Sequence, residues 1–510
     1  MSASDIKKGI VTSYGIFVAD LLAGVLFTPF LIRSLGQSEY GVFSLIGAFI
    51  ASLAILDFGF GNAITRYVAE YRTSHSKDKE THFMAMCLLM YGVIALLTLG
   101  AGAGLYSMLD FIYGVKLSPH ELQTAKSMFL ILMVNVTFSF FIGAFNAYIQ
   151  GYEKYSVING ITFYRLLLRI AVLSVLLTMG YKALMVVMVD TALNLLTGLG
   201  FYLFARLKLG LRVKMLYFDR KLLKEITRYS SLVFVGSISE MLFWRIGLLV
   251  LGAMSGAEAV AVYAVGMTLI SYFQYVSGVI NGKLFPRVTQ MVVQGAGSSE
   301  LTAFCSRVGR IQFMLLGAVV SGFLLFGRQF IELWIGPDYK LSWEIGTIFM
   351  TVMLVQVLQY PCVMILRAMK KDGQRTLYQL VLIVIGTLLG IALAGPFGML
   401  GMTAGLASAI VLLNWVVVNV HYTRVFGYGA ASFWKQIGRL VPAMAAAYAT
   451  GILIHLIPGH SWSNLLLKGL SFSVSYAIWM WLFGANASEK ALLLRMRRGL
   501  RPGVESTGQV

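Results

Sequence analysis

Charge is scarce in this chain. Of 510 residues only 12% are Asp, Glu, Lys or Arg, against 58% hydrophobic, and the acids are the rarer kind, 22 against 41 basic groups. Soluble domains carry about a quarter charged residues, so with a mean hydropathy of +0.78 water is not the main solvent. Cysteine is nearly absent. Cys87, Cys305 and Cys362 lie far apart in sequence, each in or beside an apolar run, which suggests neither a metal motif nor a disulfide framework and leaves them as packing residues. Long polar connections are also missing: the longest outer one, Leu109 to Leu122, carries no paired carboxylates for acid–base work. That argues against a membrane-embedded glycosyltransferase, ligase or polymerase, and no catalytic residue, cofactor or metal is expected. No cleavable signal peptide is expected either, because the first apolar stretch, Gly9 to Ile32, is too long for one and lacks a small-residue cleavage pattern.

What the chain does have is a string of apolar segments of about 20 residues, the length that crosses roughly 30 Å of hydrocarbon. Spans are expected near 9–33, 39–62, 82–107, 123–150, 154–179, 183–207, 229–253, 257–284, 303–328, 342–367, 374–394, 398–421, 436–458 and 462–484. Being continuously apolar, they read as helices rather than barrel strands, which alternate. The expected fold is therefore an all-α polytopic membrane protein of about fourteen transmembrane helices. Most Lys and Arg fall in the N-terminus, the even-numbered loops and the tail, which is expected to place both termini in the cytoplasm. The same asymmetry accounts for the net charge of +19, so nucleic acid is not the expected partner. Its densest cluster, Arg206 to Arg228, suits anionic lipid headgroups instead.

That cluster falls midway, so the expected organisation is a six-helix bundle over 1–207, a basic linker at 208–228, a second six-helix bundle over 229–421, two further helices within 422–484 and a basic tail at 485–510. Sliding the chain by 220 residues pairs Asp20 with Glu240, Gly36 with Gly256, Val42 with Val262 and Phe43 with Tyr263. Such a repeat is common in transporters that bind cargo between related halves.

Ionisable groups within spans are expensive and normally face a cavity or a partner. Asp20, Arg165 and Glu240 each lie about 16 Å along their spans at 1.5 Å per residue. Arg165 and Arg169 stand one turn apart with Asn159 and Thr162 on the same stripe. Two guanidinium groups suit an anionic substrate such as a phosphate, which they bind through paired charge-assisted hydrogen bonds; pairing with nearby carboxylates is the structural alternative. Arg245 is a further cationic candidate. Asp20, Glu240 and Asp190 are candidates for proton or cation coupling, or else for ion pairs with those arginines. Gln356, Gln359 and Tyr360 can present hydrogen-bonding groups together, as sugar recognition requires. Lys468 is expected to snorkel from the end of the last span, and Pro29 and Pro361 to interrupt helix interiors.

The stretch from Phe30 to Tyr71, with LG-x-x-EYG at Leu35 to Gly41 and DFGFGNAITRY at Asp57 to Tyr67, resembles the start of the Wzx-type oligosaccharide flippases, polysaccharide-biosynthesis membrane proteins of the multidrug/oligosaccharidyl-lipid/polysaccharide exporter group. The resemblance implies two six-helix bundles in a V followed by two extra helices. It also implies that an undecaprenyl-diphosphate-linked oligosaccharide is turned from the cytoplasmic to the periplasmic leaflet by ion-coupled alternating access. The carriers in question serve O-antigen, capsule or exopolysaccharide synthesis, with membrane lipids and the polysaccharide polymerase and chain-length regulator as partners. Cationic cavity residues are the family's expected substrate contacts; they map here by depth and charge to Arg165, Arg169 and Arg245. Asp57 and Arg66 fall within the motif itself and are expected to serve gating. A multidrug or lipid exporter of the same group is the alternative.

Overall fold

A computed structural model describes residues 22–214, 219–281, 284–487 and 489–491, and the regular elements in them are helices. Asp20 lies outside these residues. This is a multi-pass membrane protein with twelve helical segments long and apolar enough to cross a bilayer, against fourteen expected. The difference arises in two places. Of the first expected span, α1 (Leu22–Leu35) is the described part. The expected eleventh and twelfth spans run together in one segment, Asp372–Phe426, of 55 residues, about 80 Å if straight. It is not straight. Within its first helix, α14 (Asp372–Leu412), Gly398 takes φ 57° and ψ −134°, a conformation that only glycine adopts readily. There the chain turns back on itself: a Cβ on Gly405 would collide with the Gly390 backbone, and one on Gly386 with Ala409. Gly386 and Gly390 on one arm thus face Gly401 and Gly405 on the other, a small-residue contact that lets helix backbones touch.

Contacts divide the chain into two compact units. The first runs to Leu269 and includes Gly373–Ile410. It holds α2 (Gln37–Leu53), α3 (Phe60–Thr73), α4 (Lys77–Tyr113), α5 (Pro119–Gly151), α6 (Tyr155–Thr178), α7 (Ala183–Lys208), α8 (Arg220–Ser255) and the first half of α9 (Ala257–Asn281). At its centre is α5, packed against α2, α3, α4 and α7. A capping box fixes where α5 begins: Ser118 accepts from the Glu121 amide, Glu121 reaches back to the Ser118 amide, and Pro119 occupies the first turn. Glycines admit the neighbours, Gly198 against Ile142 and Gly102 against Met133. The start of the second expected bundle also belongs here by contact, because Gly252 of α8 packs on Leu45 and Tyr113, and Ala257 sits against Gly41.

The second unit comprises Ile270–Asp372 and the chain from Val411. Its elements after α9 are α10 (Phe285–Val293), α11 (Ser298–Trp334), α12 (Leu341–Leu358), α13 (Tyr360–Ala368), α15 (Val418–Phe426), α16 (Ala430–Gly438), α17 (Val441–His455) and α18 (Trp462–Trp479). They gather around α11, which packs on α12, α16, α17 and α18. The expected span 342–367 is interrupted at Gln359, just before Pro361, whose ring cannot continue the preceding helix.

The expected repeat has structural counterparts. Gly36 and Gly256, which the 220-residue offset pairs, each take positive φ, 83° and 86°, at the turn before α2 and before α9. Each of those helices is followed by a short one, α3 or α10, and then by a helix of 37 residues, α4 or α11.

The three cysteines are buried packing residues, as expected, and one expectation about a single residue, Lys468, fails. Cys305 and Cys362, distant in sequence, bring their sulfurs to 3.3 Å as buried free thiols, because the break before α13 seats that helix on α11. Lys468 does not snorkel; it is 4% exposed and donates to Gln329 of α11 at 3.3 Å.

Candidate functional site

The stripe on α6 meets a polar face of α7. Arg169 holds Asp190 with two parallel hydrogen bonds, Nε to Oδ1 at 2.6 Å and Nη2 to Oδ2 at 2.9 Å, the bidentate geometry that only a guanidinium offers. Its charge also lies over the Phe27 ring, 5.8 Å from the centroid. One turn earlier Arg165 donates to the Asn194 amide oxygen at 3.3 Å, and among the described residues no carboxylate pairs with it. Asn194 in turn donates to Asn135 at 2.7 Å and Ser139 at 2.9 Å on α5, and Asn135 to Thr191 at 3.2 Å. The structure thus joins three of the expected residues, Arg165, Arg169 and Asp190, on α6 and α7, with a net charge of one positive.

The neutral members of this network, Asn135, Ser139, Thr191 and Asn194, were not anticipated. They carry no charge to draw notice, although Asp190, Thr191 and Asn194 share one helical face by spacing. Their role is positional. A chain of donors and acceptors fixes Asn194, which aims Arg165, and all of it is partly or wholly covered by protein.

The motif from Asp57 to Tyr67 builds a break where a continuous span 39–62 was expected. After α2 the chain tightens into a 3-10 turn, Ala54–Asp57, then places Phe58 (φ 50°) and Gly59 (φ 72°) in the left-handed region before α3 begins. A phenylalanine there is a genuine outlier; its ring packs on Phe234, centroids 4.6 Å apart. The Asp57 carboxylate lies beside the Gly59 amide and the hydroxyl of buried Tyr91, an arrangement that holds the turn as Asp side chains commonly do. Arg66 is exposed on α3 over the ring of Tyr67.

The other expected residues are dispersed. Glu240 and Arg245 are both exposed on α8, and neither has an ion-pair partner among the described residues. Gln359 is 1% exposed and donates to Asn419 at 3.0 Å, where Trp434 also donates at 3.2 Å. Gln356 is half-buried, and half-buried Tyr360 lies beside the Arg367 guanidinium.

Two buried charge clusters went unanticipated. Glu80, 3% exposed, accepts from Tyr148, Tyr152 and Lys77. Arg310, 4% exposed in α11, holds Glu489 at 2.6 and 2.9 Å and donates to the carbonyls of Gln436 and Gly484, both at 2.8 Å. Burial would push the Glu489 carboxyl up, but the hydrogen bonds from Arg310 and the Asn486 amide hold it below its ordinary value. Among the described residues no group of His, Cys, Asp and Glu could hold a metal.

Among the described residues, a dozen helices able to cross a membrane, a repeated element order and a partly covered cationic cluster are the features of a multi-pass membrane protein. The chain belongs to the family described as polysaccharide biosynthesis protein, whose model matches residues 6–292. It is 22% identical over 497 residues to the uncharacterized membrane protein EpsK of Bacillus subtilis (strain 168), covering 96% of this chain and 97% of that one. It is 20% identical over 357 residues to a putative O-antigen transporter of Shigella flexneri, covering 66% and 78%. Among solved structures it shares its fold with the lipid II flippase MurJ in an inward closed conformation (TM-score 0.71, 10% identity, 96% of this chain and 99% of that one). It also shares it with an inward-facing multidrug resistance MATE family transporter of the MOP superfamily (TM-score 0.60, 15% identity, 82% and 95%). The relatives with functional names are transporters or flippases, not catalysts.

Proposed function

We propose that this protein is a flippase that moves an undecaprenyl-diphosphate-linked oligosaccharide from the cytoplasmic to the periplasmic leaflet of the bacterial inner membrane, for synthesis of a surface polysaccharide. The observation that carries the reading is the unequal pairing on α6: Arg169 is held by Asp190 through two hydrogen bonds, whereas Arg165 hydrogen-bonds an amide and feels that same carboxylate only from further away. A purely structural ion pair has no use for a second guanidinium one turn away. A diphosphate headgroup does, because it can take Arg165 directly and compete with Asp190 for Arg169.

That competition supplies a coupling route. The Asp190 carboxylate and the diphosphate compete for the Arg169 guanidinium, so loading of cargo displaces the carboxylate and return of the carboxylate releases the cargo. A carrier needs such differential binding to shift its populations. Asp20 and Glu240 are further coupling candidates, Arg245 a second cationic contact, and Gln356, Gln359 and Tyr360 sugar contacts. The left-handed turn after Asp57, with Arg66 on the helix that follows, is placed as a gate hinge. Alternating access in this reading is a movement of two six-helix bundles, with both termini cytoplasmic and the polymerase and chain-length regulator receiving the product.

The test is complementation of a flippase-deficient strain by Arg165→Ala/Arg169→Ala. Surface polysaccharide should disappear while membrane abundance stays normal, and normal polysaccharide would overturn the reading. Resistance assays with cationic drugs separate it from a multidrug exporter, the activity named for the transporters that share its fold.

A further inference from the structure

Besides the α6–α7 cluster, the first unit carries a polar concavity. Helices α2, α5 and α7 all begin at one end of that unit, away from the ends that carry Arg72, Lys154 and Arg206, and between their first turns lies this cavity, of about 370 Å³. That volume falls in the range of small-molecule sites. Six polar side chains line it, Glu39, His120, Gln123, Thr124, Ser127 and Lys182, with Leu184 as the apolar member.

The walls are tied together. Glu39 of α2 accepts from the Ala183 amide at the start of α7 at 3.3 Å, Lys182 donates to the Ser34 carbonyl at 3.1 Å, and Ser38 bonds to Glu121 in the first turn of α5. Each of these links joins two of the segments that surround the cavity, so the wall groups are held in place before any ligand arrives, which lowers the entropy lost on binding.

The lining also keeps hydrogen-bonding capacity in reserve. Glu39 spends one oxygen on Ala183 and Lys182 one donor on Ser34, while Ser127 donates back to the Gln123 carbonyl at 3.1 Å and keeps its acceptor pairs. His120 interacts electrostatically with Glu121, and Gln123 and Thr124 make no side-chain hydrogen bond among the described residues. The wall offers both donors and acceptors, and Glu39 and Lys182 cancel in charge. A phosphate would gain little from such a wall, whereas a ligand that is itself a dense array of hydroxyl donors and acceptors matches it.

The geometry points to a carbohydrate-binding site in this cavity, at the end of the first unit opposite its basic loops. It rests on the proposed flippase function for the source of the sugar, not for the chemistry of the wall. The ligand is a neutral or weakly charged glycan, either the repeat unit just delivered to that side of the membrane or the polymer made from it.

The experiment uses the full chain in lipid nanodiscs. The probe is a single-repeat oligosaccharide released by mild acid from the producing strain's own surface polysaccharide, followed by saturation-transfer NMR and calorimetry. Wild-type protein should bind it. Gln123→Leu/Thr124→Val, which alters two side chains with no partner in the fold, should weaken binding about tenfold or more, roughly the effect of one or two lost hydrogen bonds. Tighter binding of the polymer than of one repeat assigns the site to the growing glycan, and equal binding assigns it to the delivered unit. No binding by wild type, undiminished binding by the double variant, or displacement of the sugar by inorganic phosphate would each overturn the site. Because Arg165→Ala/Arg169→Ala is scored by export and this site by binding, either conclusion can fail while the other stands.

Discussion

Arg165 and Arg169 lie one helical turn apart on α6, yet Arg169 is locked to the Asp190 carboxylate by two hydrogen bonds, whereas Arg165 donates to the amide oxygen of Asn194 and meets that carboxylate only at longer range. The difference decides which arginine is ready for an incoming anion and which must first be released. Arg169 is the conditional one, and Asp190 is its condition.

Asp190→Asn removes the competing charge while keeping a similar shape. Inorganic diphosphate should bind the purified variant about tenfold more tightly than wild type, the equivalent of roughly 1.4 kcal/mol. Export of polysaccharide should fall, because the cargo is no longer displaced. Unchanged diphosphate affinity, read by calorimetry, would remove Asp190 from the coupling route.

The turn after Asp57 makes a separate prediction. Gly59 has φ 72°, and an alanine there costs about 1 kcal/mol, a β-branched residue more. Gly59→Val should lower surface polysaccharide more than Gly59→Ala does, with a parallel fall in thermal midpoint in detergent. Equal behaviour of the two variants would mean that the left-handed turn is not needed.

Much of this architecture could be read from the sequence, for reasons that also mark where reading stopped. A helix in lipid is apolar over most of its length, so approximate span positions follow from the sequence, and the turn at Gly398 falls on the first residue of the expected span 398–421. The stripe of Arg165 and Arg169 was visible because charge is out of place in hydrocarbon. Partners were not visible. Asp190 was a candidate, but its pairing with Arg169 and the amide chain from Asn194 to Asn135 depend on how α5, α6 and α7 pack, which periodicity does not encode. The left-handed Phe58 was hidden because phenylalanine is no signal for positive φ, and Cys305 meets Cys362 across 57 residues of chain.

The α14 hairpin depends on bare backbone contact. A side chain on Gly405 would meet the backbone of Gly390 and Gly386, not a flexible neighbour that can yield. Gly405→Leu should therefore prevent the two arms from closing, with little folded protein recovered from membranes. Gly395→Ala on the same helix, where a Cβ meets nothing within 4 Å, should be recovered at wild-type levels. Size-exclusion profiles of the two variants compare them directly, and an identical profile for both would refute the close packing of the arms.

The bond between Arg310 and Glu489 predicts how stability follows pH. Because the folded state holds the Glu489 carboxyl below its ordinary value, ionised Glu489 stabilises the fold at pH above the unfolded value, about 4.3 for glutamate. The contribution fades as the pH falls from there through the lower folded value, where the carboxylate finally protonates and the guanidinium loses its counter-charge. Glu489→Gln makes that loss permanent. With Arg310 left charged and buried, the variant should be less stable by about 3 kcal/mol at neutral pH, seen as a lower thermal midpoint in detergent. Acidification from about pH 5 to about pH 3, through the unfolded value and below it, should then lower the wild-type midpoint more than the variant's. If the two proteins lost the same number of degrees over that interval, Glu489 would not be the group responsible.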